Sequence, residues 1–367
     1  MILCLYSYFL IICMDIQSNI SLKPYTTFQV DAKAKFFCEV KNEEEIQSLI
    51  TNEIWTQYPH LILGGGANIL FTKDYEGLVV KTSLLGKEIL EEKDGFVYIK
   101  VWSGEDWHET MMQMLEQGFV GWENLVYIPG QVGSAPVGNI WAYGKEAKDI
   151  IFAVEWIDLI TWEKTILSNT DCHFAYRDSI FKRELKDRFL ITSVIFQLQR
   201  NSETYIPDTQ YKDIQQAIAS KWLEHISGLE LAHIIIEIRK NKLPDRHLVW
   251  TAWSFFKNPV IDKAQYDTLL QKYPNLIWRE VQDQKLLHST LNITHSTLIK
   301  LSAWQLIELA WLKWYRAWDA GVSPQHALVL LNYGNASGED IVHLAEYIQK
   351  KVEELFALHL EPEVIYV

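Results

Sequence analysis

The chain has 367 residues, 49% apolar and 22% charged, with a net charge of −13. That length gives two or three domains with a sizeable core, and that composition excludes a disordered, collagen-like or disulfide-scaffold chain. The acidic balance disfavours the nucleic-acid backbone as a partner.

The first thirteen residues, MILCLYSYFLIIC, are nearly all apolar but too short to span a bilayer. They lack the basic start and small-residue cleavage site of a secretory signal. Translation from Met14 is the favoured reading, and a small hydrophobic anchor the alternative. A short strand is expected over 28–40 and a helix from Asn42 to Thr51. LILGGGANILF (61–71) reads as strand, glycine turn, strand. Further strands are expected at 77–81, 97–103 and 151–160. A helix over 105–118 has Glu105 and Asp106 in its first turn, where carboxylates suit the helix dipole, and ends at Gly118. Residues 123–144 are dense in Gly, Pro, Asn and small residues, which implies backbone exposed to a bound group. A strand over 188–198 closes this half. Helical periodicity runs over 211–240, and KLPD (242–245) marks a linker near 240–250. Helices follow near 261–273, 298–313 and 337–357, with a strand at 325–333 and an extended end, EPEVIYV. The pattern is α+β. Cys4, Cys13, Cys38 and Cys172 form no CxxC pair and accompany no His cluster, so zinc and a disulfide framework are disfavoured and a reducing compartment is expected.

Four short segments have residues suited to chemistry, each with an ordinary alternative. Gly64-Gly65-Gly66-Ala67-Asn68 lets successive backbone N–H groups approach an anion, but taken alone it reads first as a plain tight turn. It is neither GxGxxG nor a P-loop. Ile128 to Pro136 is a second small-residue loop, continued by Asn139 to Gly144, and would suit a large phosphate-bearing cofactor or a plain surface loop. Tyr176-Arg177-Asp178 offers a guanidinium able to clamp a carboxylate, or a surface ion pair. Ser254 in SFFKNP has no local His or Asp, so a nucleophilic triad is unsupported, while a serine proton donor needs none. Glu361-Pro362-Glu363 reads as a solvated tail when taken alone, and His108 as helix surface.

In this order, ILGGGANILF, GxENLxxIPGxVGxxP, NIxAYG, FxYRDSIFK, KLPD, SFFKNP, ALVLxN and LEPEV together resemble the UDP-N-acetylenolpyruvoylglucosamine reductase (MurB) family, from about Leu22 to Val367. The Tyr211 region and the 260–290 segment resemble its type I subgroup. The resemblance implies two FAD-binding lobes of the vanillyl-alcohol-oxidase (PCMH) type, 20–85 and 86–242. It also implies a C-terminal α+β substrate-binding domain, 243–358, and a segment, 359–367, that returns to the active site. Residues 1–19 would be an N-terminal extension. The implied reaction is reduction of the enolpyruvyl ether of UDP-N-acetylglucosamine, with non-covalent FAD and with NADPH as co-substrate. By the same resemblance Arg177, Ser254 and Glu363 are catalytic. Gly64, Gly65, Gly66, Ala67, Asn68, Gly130, Gly133, Ser134 and Asn139 face FAD, and Tyr176, Tyr211, Lys242, Asn258 and His326 hold the substrate. Lys257 or a water would polarise Ser254. A glutamate beside developing negative charge helps only if it is protonated or orients the arginine. The partner is then a UDP-sugar; no nucleic acid and no stable membrane insertion are expected, and a cytoplasmic monomer is. A flavin oxidase of a sugar or hydroxy acid, and an inactive flavin-binding chain, are the competing readings.

The chain departs from the family at its tryptophans. It has 15 Trp and 17 Gly, where an average chain of this length has roughly 26 Gly. Trp102, Trp141, Trp253, Trp304, Trp311, Trp314 and Trp318 stand where the motifs have Gly, with Trp250, Trp156, Trp162 and Trp278 as further candidates. An indole placed where only hydrogen fits costs several kcal/mol, and about ten such replacements would exceed a typical total stability of roughly 5–15 kcal/mol. UGA codons meant as glycine would explain this. The ordinary alternative is that Trp304, Trp311, Trp314 and Trp318 form one buried helical face.

Overall fold

The computed structural model describes residues 14–244, 249–281 and 297–367. The first sheet has four strands in the order Gln17–Ser21, Lys33–Val40, Tyr75–Thr82, His60–Leu63. The first pair is antiparallel and the other two are parallel. A parallel pair needs a crossover, which helices Glu43–Ile50 and Glu53–Gln57 supply. Asn42 begins the first of these by accepting a hydrogen bond from the Glu45 amide, and Glu43, Glu44 and Glu45 fill the dipole-favoured first turn.

The second sheet is antiparallel throughout. Its main path runs Lys164–Ser168, Ile151–Asp158, Phe189–Arg200, Phe96–Trp102, Lys87–Lys93, and Phe119–Val120 pairs with Phe189–Arg200 beside it. The last two path strands join through Asp94-Gly95, both at positive φ, as a two-residue hairpin turn requires. Helices Trp107–Glu116 and Gly228–Lys242 cover this sheet around a core of Trp107, Trp122, Phe181 and Phe196.

Two small antiparallel sheets build the C-terminal region, one of Val260–Asp262, Leu298–Leu301 and Trp278–Glu280, the other of Arg316–Ala317, Ala320–Val322 and Leu330–Asn332. Helix Gly338–Phe356 packs on the second through Ile341, Leu344, Ala345, Ile348 and Val352, spaced three and four apart. This region shares one hydrophobic core with the first lobe, joining Leu22, Phe28 and Leu70 to Phe255, Leu344 and Ile348. A Cβ on Gly338 would lie 2.0 Å from the Phe71 carbonyl oxygen, so the helix start touches first-lobe backbone directly.

Several sequence expectations change. The strand expected over 28–40 begins only at Lys33, because Gln29 at φ +47 turns the chain before it. The helix expected over 298–313 is a strand, Leu298–Leu301, followed by helix Ala303–Leu309; pairing with Val260–Asp262 overrides the helical spacing. The strand expected over 325–333 is reduced to Leu330–Asn332, since Ser323 Oγ accepts from the Gln325 and His326 amides and holds a turn there. Glu105 precedes its helix. Asp106 is the N-cap, and Glu105 accepts from the Gly86 amide and pairs with Lys87 at 2.6 Å. The helical run over 211–240 is two helices, Lys212–Ser220 and Gly228–Lys242. Within 123–144, Glu123, Asn124, Leu125, Val126 and Val132 are buried core. Cys38 and Cys172 are free thiols, both buried, with burial pushing each up to about 12. Cys4, Cys13, Asp245 and part of the 260–290 segment lie outside the described residues.

Helix Gly338–Phe356 begins with a reciprocal cap: Ser337 Oγ accepts from the Asp340 amide at 3.1 Å, and Asp340 accepts from the Ser337 amide at 2.8 Å. Ser337→Ala is expected to cost about 1 kcal/mol, read as a lower midpoint in denaturant with unchanged slope.

Candidate active site

The two glycine loops meet. Gly64 to Asn68 leaves strand His60–Leu63 in the first lobe, and Gly130 to Ser134 lies against Ser103 in the second, where the Gly133 amide donates to the Ser103 carbonyl at 2.9 Å. A Cβ on Gly65 would sit 2.7 Å from Gly130 Cα, and one on Gly66, at φ +61, only 2.0 Å from the Tyr25 carbonyl oxygen. A side chain at Gly65 or Gly66 would thus strike backbone, and the two loops approach closely here. Thr26 Oγ1, Thr27 Oγ1, Ser103 Oγ and Gln131 Oε1 are buried in this part of the fold without protein partners. Orphaned buried polar atoms beside a backbone cradle fit a polar, phosphate-bearing cofactor. Ser134 Oγ donates to the Gln131 carbonyl at 2.6 Å and shapes the loop.

Two loop residues serve the protein with their side chains. Asn139 is fully buried; its amide donates to Glu146 and to the Ala175 carbonyl, and its Oδ1 accepts from the Lys148 amide. Expected to face FAD, its side chain is bound to these protein groups and fixes the segment entering Tyr176-Arg177. Asn68 Nδ2 donates to the Glu363 carbonyl at 3.0 Å.

Arg177 and Glu363 come together from 186 positions apart in the sequence, with Nη1 and Oε1 at 3.3 Å. Both are largely buried, and Arg177 Nε has no partner. The C-terminal segment reaches this point by backbone pairing. The Lys257 amide donates to the Glu361 carbonyl, the Glu363 amide to the Phe255 carbonyl, and Ile365–Tyr366 runs parallel to Ile69–Leu70. The same pairing lines Ser254 along the segment, and Ser254 also bridges to Val329. Lys257, expected as one polariser of Ser254, instead forms an ion pair with Glu361.

The expected substrate residues cluster unevenly. Tyr176 lies beside Arg177 and Asn258, and burial raises its phenol above the ordinary range. Asn258 Oδ1 accepts from the Ala303 amide at 2.9 Å, opening helix Ala303–Leu309. Tyr211 lies edge-on to Tyr143 and Trp141, under the Arg279 guanidinium. Lys242 pairs with Asp213 at 2.6 Å. His326 is held to about 4 by burial and by the nearby charge of Lys242, so its imidazole is neutral.

Three cations at this site escaped sequence reading. Lys300 Nζ sits 3.8 Å from the Tyr176 ring centroid, and burial lowers its ammonium. Lys182 Nζ donates to the Arg177 carbonyl at 2.9 Å, where Arg177 adopts φ +56. Arg239 Nε donates to the Tyr127 carbonyl, with its guanidinium over Tyr143 and Trp253. Lys300 and Arg239 lie in an ordinary strand and an ordinary helix with no spacing signal; Lys182 stood in the FxYRDSIFK motif unremarked. His108, expected at the surface, is half-buried; its Nδ1 accepts from the Tyr127 amide, and it lines a crevice of about 10 Å³ with Asp106, Tyr127 and Trp253.

Comparison with known proteins agrees with this geometry. Residues 34–167 match the FAD binding domain, and residues 244–367 match the UDP-N-acetylenolpyruvoylglucosamine reductase C-terminal domain. The chain is 40% identical over 351 residues to UDP-N-acetylenolpyruvoylglucosamine reductase of Flavobacterium johnsoniae, covering 96% of this chain and 99% of that one. It is also 40% identical to the enzyme of that name from Chromobacterium violaceum, over 95% of this chain and 98% of the other. The crystal structure of the Thermus caldophilus reductase has the same fold, with a TM-score of 0.63 at 22% identity, covering 96% of this chain and 99% of that one. With relatives at 40% identity matched over nearly their whole length, and with both domains in place, the chain belongs to the UDP-N-acetylenolpyruvoylglucosamine reductase family.

Proposed function

We propose that this chain reduces the enolpyruvyl ether of UDP-N-acetylglucosamine to UDP-N-acetylmuramate through Arg177, Ser254 and Glu363. The membership above makes it an FAD-dependent oxidoreductase of peptidoglycan precursor synthesis and implies NADPH as co-substrate. The single observation that supports the residue assignment is the buried Arg177–Glu363 pair beside the Ser254 segment.

FAD, held along the glycine seam, would supply hydride to the terminal vinyl carbon. That addition places negative charge on the adjacent carbon and its carboxylate. Arg177, carrying an unpartnered Nε–H in a largely buried site, is a preorganised donor for that charge. Glu363 pairs with Nη1 of the same guanidinium and orients it. Ser254 gives its hydroxyl proton to the adjacent carbon, completing the saturated lactyl ether. Tyr176 and Asn258 position the carboxylate end, while Lys242 and Lys300 offer point charges for the diphosphate.

An oxidase would need a base to remove a proton and would not need a carboxylate clamp; no arrangement at the site favours it, and the relatives carry the reductase name. No helix among the described residues is long and apolar enough to cross a membrane. A cytoplasmic monomer remains part of this proposal.

Ser254→Ala is expected to lower kcat by roughly 10²–10⁴-fold while leaving the bound-flavin spectrum and its bleaching by NADPH unchanged. A variant that turns over normally would overturn the donor assignment. Lys182→Met removes the clamp on the Arg177 carbonyl and should reduce kcat on the order of tenfold or more, with flavin retention unaffected. His326 supplies a pH prediction. Its folded imidazole resists protonation down to about 4, whereas the unfolded one protonates near 6.5. Native stability therefore falls as pH drops between those values, by up to roughly 3 kcal/mol. His326→Gln should flatten that part of a thermal-midpoint-versus-pH curve.

A further inference from the structure

The tryptophans of this chain occupy glycine conformations. Of the 15 tryptophans, six adopt left-handed φ: Trp162 at +62°, Trp222 at +57°, Trp253 at +67°, Trp311 at +59°, Trp314 at +72° and Trp318 at +55°. Eight of the 17 glycines do the same, and only ten of all other described non-glycine residues. A bulky side chain in that region is a steric outlier, because its Cβ crowds the following carbonyl.

The local backbone geometry shows why four of these six positions are left-handed. Helix Ala303–Leu309 ends with the Leu312 amide donating to the Ile307 carbonyl and the Trp311 amide to the Glu308 carbonyl. Helix Lys212–Ser220 ends with the Leu223 amide donating to Ile218 and the Trp222 amide to Ala219. Both are complete Schellman termini, whose left-handed residue is normally glycine. Helix Trp107–Glu116 ends with Gly118, at φ +82, in the corresponding place. Trp318 is the first residue of the two-residue loop between Ala317 and Ala320, where a primed hairpin turn takes glycine. Trp162 closes the loop of another hairpin, its amide donating to the Asp158 carbonyl.

At four of the six positions the indole is mostly exposed and gains little burial to offset this. Trp222, Trp311, Trp314 and Trp318 are 91%, 92%, 71% and 66% exposed. The buried helical face expected from the spacing of Trp304, Trp311, Trp314 and Trp318 does not exist: only Trp304 lies in the helix. Trp253 directly precedes Ser254, and it lines the crevice beside Tyr127, with its indole under Arg239. Trp102, Trp141, Trp304, Trp250, Trp156 and Trp278 have φ outside the left-handed region, and the strain argument does not reach them.

We propose that the protein made in its native cell carries glycine at positions 162, 222, 253, 311, 314 and 318, because one codon, UGA, is read there as glycine instead of tryptophan. One codon accounts for all six exchanges at once, whereas independent substitutions would have to select the same ill-suited residue at six glycine sites. The proposal does not rest on the reaction assigned above.

Mass spectrometry of the protein purified from its native cells tests it directly. Peptides spanning 222, 253 and 311 are expected to show glycine; an indole-bearing residue at 253 overturns the proposal. Recombinant protein gives a second reading. The version with glycine at all six positions is expected to melt at higher temperature than the chain with tryptophan and to retain flavin. Trp107→Gly is the control. Trp107 is buried at ordinary φ and donates to the Leu125 carbonyl at 2.9 Å, so this change should lower the melting temperature. Equal or lower stability of the six-glycine version would count against the proposal.

Discussion

The site depends on the backbone pairing of the last seven residues. Glu361 to Val367 is laid between the Phe255–Lys257 segment and strand Ile69–Leu70, and every contact that aims Glu363 follows from that. Backbone hydrogen bonds suit this task, because they fix position along the chain to one residue, and a slip of one would turn Glu363 away from Arg177. Asn68 locks the register with a side-chain bond to the Glu363 carbonyl. One loop therefore serves two purposes: its glycines line the seam proposed for the cofactor, and its asparagine holds the Glu363 backbone.

The shared core explains why the segment can be held so firmly. First-lobe and C-terminal residues bury one another in a single cluster, so the floor beneath Ser254 and the strand beneath Gly64 share one core. The second lobe, with its own core, brings Arg177 and the second glycine loop across the seam. Arg177 itself is held at left-handed φ, with its carbonyl clamped by Lys182 and the preceding segment tied to Asn139. Strain of this kind persists only where surrounding contacts over-determine it. At Arg177 those contacts are present. At Trp222 and Trp311 the holding contacts are helix-terminal backbone hydrogen bonds, of the kind that a left-handed glycine ordinarily completes.

Much was legible in the sequence because it depends on local patterning. The alternation in 97–103, the capped helices near Asn42 and Ser337, and the turn at Gly118 all appear close to where propensity places them. The ordered motifs specified the family, and with it the residues around the seam. The surplus of tryptophan over glycine was equally visible as arithmetic.

What the sequence by itself determined, then, was which elements form and which chemistry-bearing residues exist. Tertiary structure alone decided the rest. It turned 298–301 from helix to strand, because a neighbouring strand satisfied those backbone groups. It placed Lys300 against Tyr176 and Lys182 on the Arg177 carbonyl, contacts 124 and 5 positions apart that no spacing rule distinguishes from chance. It directed Asn139 inward and Lys257 onto Glu361. Sequence patterns report what a residue prefers over a few neighbours; which group faces which across a seam depends on packing between distant segments, and only the folded chain contains that information.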